Sequence, residues 1–252
     1  MRVMMGVCLG LALTGCVTTS SEKPKFGSTQ DAASYNVQLG IAYMEQGNLA
    51  VAKEKLERAA QENGNDPNVH SALALLYERL GNPPEADHQF RTALHLAPQN
   101  PEISNNYAVY LCRTNRVDEG VRRLLAVAKN PLYRTPEAAY TNAAVCLRSV
   151  HRDEEAERSL MTALQIRPGF AEAAFQLADL DLQHGRLASA RTRVDAFVGR
   201  YTATPEMLML GLKVARAQGD RLAAERYARR LRVDFPDSEQ ARSLSEGGVN
   251  SG

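Results

Sequence analysis

The sequence predicts an all-α protein, a solenoid of six helix–turn–helix repeats stacked in line. Two observations carry this expectation. The chain is similar to itself at a spacing of 34 residues. Alanine and leucine are abundant while runs of β-branched residues are scarce, which favours helix over sheet. The 252 residues are 44% apolar and 23% charged, enough to bury a sizeable core. With 30 basic against 29 acidic side chains the formal charge is +1, which argues against a nucleic-acid binder that works by neutralising phosphates. No apolar run approaches the ~18–20 residues of a membrane-spanning helix.

Taken in order, residues 1–15 read as a secretory signal. Arg2 precedes a short apolar stretch from Val3 to Leu13, and small residues follow. Leu13-Thr14-Gly15-Cys16 resembles the bacterial lipobox, which implies cleavage before Cys16 and lipidation of that cysteine. The alternative is an ordinary secretory signal followed by a coincidental cysteine. Val17 stands where an inner-membrane retention signal would place aspartate, so the resemblance implies the periplasmic face of the outer membrane. Loss of the signal removes one arginine and no acid, leaving a neutral mature chain. Residues 16–32 are polar and lack periodicity, so they read as a tether reaching up to ~50 Å.

The repeats are expected at 33–66, 67–100, 101–136, 137–170, 171–204 and 205–238. Position 8 of each carries Gly40, Ala74, Ala108, Ala144, Ala178 and, as the exception, Leu212. Position 20 is small throughout, with Ala52, Ala86, Gly120, Ala156, Ala190 and Ala224. Position 24 is apolar, from Leu56 and Phe90 to Ala228. The inter-helix turn carries Gly47, Gly81, Gly185 and Gly219, with Asn115 and His151 in the other two. Small residues at 8 and 20 let paired helices approach, and larger ones at 7, 11 and 24 fill the space around them. This pattern resembles the tetratricopeptide repeat, which implies a right-handed superhelical solenoid in which each pair buries the face of the pair before it. Asp181 and Ala215 at position 11 and Gly211 at position 7 depart from the pattern, so a looser C-terminal end is expected. Residues 239–252 form a short tail, with about two helical turns over 238–244 and disorder from 245.

Catalytic chemistry is not indicated. The sequence has no nucleotide-binding loop, no nucleophile elbow and no His-Glu-x-x-His pair. His70, His88, His95, His151 and His184 are scattered over unrelated positions, so no metal site, cofactor or small-molecule substrate is expected. Cys112 and Cys146 fall in the first helices of adjacent repeats, in a compartment that permits disulfides. A bridge between them is the favoured reading, and two separate buried thiols the alternative.

Tetratricopeptide grooves use positions 2, 5, 9, 12 and 13 of each first helix. In repeat 1 these include Val37, Ile41 and Met44, an apolar stripe that Leu75 of repeat 2 extends. Such a stripe implies a protein partner, unless the tether covers it through Phe26 or the helical phase is shifted by one. The Lys and Asn of a carboxylate clamp are replaced by Val37 and Ile41, so any ligand is expected to be held by apolar contact. Arg221, Arg226, Arg229, Arg230 and Arg232, interleaved with acids, read as a solvated cap on the end of the stack.

Lipobox, neutral tether, six repeats and a cysteine pair in repeats 3 and 4 together resemble the type IV pilus biogenesis lipoproteins of the PilF/PilW family. The resemblance implies a pilotin. It would bind the pilus secretin, promote its outer-membrane localisation and multimerisation, and so serve pilus assembly and twitching motility. The alternative is a lipoprotein adaptor for other envelope machinery, such as outer-membrane barrel insertion or cell-wall synthesis.

Overall fold

A computed structural model describes residues 28–246, and these contain thirteen α-helices and no strand. The expected signal, Cys16, nearly all of the tether and residues 247–252 lie outside the described residues. Helices pair as α1 (Thr29–Glu45) with α2 (Leu49–Glu62), α3 (Pro67–Arg79) with α4 (Pro83–Leu96), and α5 (Pro101–Arg113) with α6 (Val117–Ala128). There follow α7 (Pro136–Arg148) with α8 (Asp153–Ile166), α9 (Ala171–Gln183) with α10 (Leu187–Arg200), and α11 (Pro205–Ala217) with α12 (Arg221–Asp234). The two-turn α13 (Glu239–Glu246) ends the stack. This is the tetratricopeptide solenoid.

Local chemistry sets the boundaries. Proline stands at the first helical position of α3, α5, α7 and α11, where its missing N–H would have no partner anyway. Asp66, Asn100, Thr204 and Asp220 accept backbone N–H bonds as caps. All six inter-helix turns place one residue in the left-handed region: Gly47, Gly81, Gly185, Gly219, Asn115 and His151. One boundary needs correction. The tether was expected to run through residue 32, but Ser28 caps Asp31 N–H and α1 begins at Thr29, a turn earlier.

The core is a line of clusters along the stack. In the segment that carries the two extra residues of the third repeat, Tyr133 is buried with Val127, Ala128 and Ala139 while Leu132 stays exposed. The expectation of a looser C-terminal end is also corrected, because the largest cluster spans repeats 5 and 6. Two exchanges explain it. A Cβ on Gly211 would lie 2.6 Å from the ring of Tyr227, so the space vacated at position 7 is filled from the opposite helix. The Tyr227 hydroxyl donates to Asp195, and Arg191 and Arg226 sit over its ring at 5.6 and 5.7 Å. Asp181, only 1% exposed, accepts from Arg186 Nε at 2.6 Å, Arg193 Nε at 2.7 Å and the Ser189 hydroxyl. Burial works to raise its pKa, but these three bonds outweigh it and hold the carboxyl below its ordinary value.

Candidate partner-binding groove

The first helices of the repeats line one surface, and its N-terminal end holds the expected stripe. Ile41 is 37% exposed, whereas Met44 is 3% exposed and belongs chiefly to the core of repeats 1 and 2. Val37 is half-buried against that same cluster. Ile41, Met44 and Leu75 together floor a depression of about 480 Å³, which Val37 does not line. Its rim carries Glu45, Glu78, Arg79 and Arg113. Arg79 donates to the Met44 carbonyl at the C-terminal end of α1, where a cation meets the negative pole of the helix. Arg113 reaches Glu78 at 3.3 Å, tying repeat 3 to repeat 2. The depression is thus an apolar floor with fixed charges around it, suited to an apolar segment rather than to bond chemistry. Among the described residues no group of three potential metal ligands converges, and no helix is long and apolar enough to cross a membrane.

Cys112 and Cys146 are joined by a disulfide, with their Cα atoms 5.5 Å apart, so α5 and α7 are covalently linked. Cys112, the twelfth residue of repeat 3 and so at a groove position, is therefore committed to the bond. The bond also explains one substitution in the repeat pattern. Position 20 is alanine in five repeats but Gly120 in the third, where a Cβ would lie 2.5 Å from Cys112 Sγ and 2.8 Å from the Ala108 carbonyl. Gly120→Ala is expected to destabilise the protein by about 1–3 kcal/mol through overpacking. In a Cys112→Ala/Cys146→Ala background the penalty should shrink. Thermal melts of the four variants check this, and an equal penalty in both backgrounds would refute the coupling.

A second feature is not visible in the repeat pattern. Arg116, Arg152 and Arg186 occupy the N-cap position of α6, α8 and α10 without making a side-chain cap. Each instead reaches an acid on the preceding repeat: Asp87 at 2.8 Å, Asp118 at 2.7 Å and Glu157 at 3.0 Å. The signal was arginine replacing Asn48, Asn82 and Asp220 at that position.

A family model described as the tetratricopeptide repeat matches residues 37–86 and 71–139. The type IV pilus assembly protein PilF of Pseudomonas aeruginosa is 28% identical over 239 residues, covering 94% of this chain and 95% of PilF. The solved structure of P. aeruginosa PilF superposes with a TM-score of 0.65 at 25% identity, covering 87% of this chain and 99% of that one. The crystal structure of PilW, described as a widely conserved type IV pilus biogenesis factor, gives a TM-score of 0.66 at 29% identity, covering 84% and 97%.

Proposed function

Because the chain belongs to the tetratricopeptide-repeat family of type IV pilus biogenesis proteins that includes PilF and PilW, we propose that it is a pilotin for the pilus secretin. The observation that carries this reading is the apolar depression of Ile41, Met44 and Leu75 at the N-terminal end of the stack. The partner is an apolar segment of the secretin subunit. The protein acts as a binding scaffold and performs no catalysis.

In this reading Cys16 carries lipid and holds the protein on the periplasmic face of the outer membrane. Several acyl chains are needed, since one alone binds only marginally. The tether lets the solenoid reach secretin subunits, the depression shields their apolar segment, and the shared anchor raises their local concentration so that they multimerise. Pilus assembly and twitching motility then depend on it.

Deleting the gene tests the reading directly, with loss of detergent-resistant secretin multimers from the outer-membrane fraction as the expected result. Normal multimer levels in the deletion strain would defeat it. The groove is tested by Ile41→Glu, because Ile41 is exposed enough for the fold to tolerate a charge whereas Met44 is not. Secretin binding should weaken at least about tenfold with unchanged helicity. Full binding by this variant would place the site elsewhere.

A further inference from the structure

In every junction of the stack, positions 8, 20 and 24 of one repeat are covered by the first helix of the next. Ala74, Ala86 and Phe90 lie under Tyr107, Tyr110 and Leu111. Ala144, Ala156 and Leu160 lie under Ala173 and Leu177. Repeat 6 is different. Its equivalents Ala224 and Ala228 are half-buried, whereas Ala86, Phe90, Ala156, Leu160, Ala190 and Val194 are fully buried. The covering element here is α13, eight residues long against thirteen in the first helices of repeats 2 to 6. It packs through Ala241, and among the described residues a groove of about 730 Å³ is left open along α12.

The groove has a distinct chemistry. Its floor is Leu212, Ala224, Ala228 and Val233, the last 71% exposed. Its rim carries Arg216, Arg221, Arg229 and Arg232, and among the described residues none of these four side chains is in an ion pair or hydrogen bond. Their neighbours on the same helix behave otherwise, since Arg226 reaches Asp195 and Arg230 reaches Asp234. Of the two acids on the rim, Asp220 is already engaged in capping Ala223 N–H and in pairing with Arg191. Four unpaired guanidinium groups, against the single unpaired acid Glu225, therefore flank an apolar strip that runs from Ala224 to Val233, about 14 Å of α12.

We propose that this groove docks an amphipathic helix of a partner protein, with small and leucine-sized side chains in a stripe and acidic residues on both flanks. The occupant lies beside α13 along α12 and completes the cover that this short helix begins. Charge complementarity selects it. A second copy of this chain is a poor fit, because α1, at the other end of the stack, offers only Asp31 and Glu45 as acids. The surface is separate from the depression in repeats 1 and 2, so the scaffold would hold two partners at opposite ends.

The probe is a labelled helical peptide of about 16 residues with a Leu/Ala stripe at i, i+3, i+4 and i+7 and glutamate on both flanks, titrated into the full chain in mild detergent. Its twin carries lysine in place of glutamate. Saturable binding of the glutamate peptide is expected, with the twin at least about tenfold weaker and the preference reversed by Arg229→Glu/Arg232→Glu. Both arginines are exposed, so this variant should fold; Ile41→Glu should leave peptide binding unchanged. Equal binding of both peptides, no binding, or no effect of the charge reversal would overturn the proposal. So would dimerisation abolished by the same variant, which would assign the groove to a second copy. Arginine-dependent binding to phosphatidylglycerol vesicles without peptide binding would assign it to a lipid surface.

Discussion

Replacing Asp181 by alanine is expected to destabilise the solenoid by about 2–3 kcal/mol, on the order of 5–10 °C in melting temperature. The magnitude comes from what is left behind. Arg186 and Arg193, whose side chains are 40% and 34% exposed, would lose the carboxylate they share and keep only partial solvation, and the Ser189 hydroxyl would lose its acceptor. Among the described residues no buried side-chain polar atom lacks a partner, and the Asp181 carboxylate meets that condition through these three bonds. The effect should depend on pH in a defined direction. Because the folded-state pKa is depressed, the stabilisation is fully present above the ordinary value of 3.8 and is lost as pH falls through the lower, folded-state value. The gap between wild type and Asp181→Ala should therefore be constant from neutral pH down to about 4 and close below it. Urea melts at several pH values measure this, and a gap that persisted undiminished well below pH 3 would show that the carboxylate charge is not the source.

Removing the cystine is expected to cost about 3–4 kcal/mol for its separation of 34 residues, on the chain-entropy argument. The site makes this more than a number. Cys112 is on α5 and Cys146 on α7, so the bond holds two first helices side by side at the middle of the stack. Repeat arrays are stabilised by neighbours alone, and unfolding spreads from junction to junction. In Cys112→Ala/Cys146→Ala, hydrogen exchange should quicken chiefly in repeats 3 and 4. A uniform change along the chain, or none, would contradict a local clamp.

Much of this architecture could be read in the sequence because the repeat places small residues where helices cross. Ala74 with Ala86 and Ala144 with Ala156 fixed the phase, and four turn glycines with Asn115 and His151 marked where the chain reverses. Position-by-position reading failed where two positions trade roles. Gly211 looked like a lost core residue, yet Tyr227 supplies the missing volume from the partner helix. Asp181 looked like a polar intrusion until Arg186, Ser189 and Arg193 arrived from the next helix to satisfy it. The apolar stripe was expected on one face of α1, but Val37 does not line the depression and Met44 lies on the boundary between two faces, and periodicity alone does not say which side of that boundary is dry. The arginine ties across repeats span 29, 34 and 29 residues, beyond the reach of any local pattern.

The contact between Gly120 and the Cys112 sulfur also orders the changes that could join or part the two helices. A chain with alanine at 120, like the other five repeats, would have no room for the sulfur, so the cystine is installed with least strain where glycine already stands. Taking the sulfurs away lifts only part of that constraint, because alanine at 120 would still meet the Ala108 carbonyl at 2.8 Å.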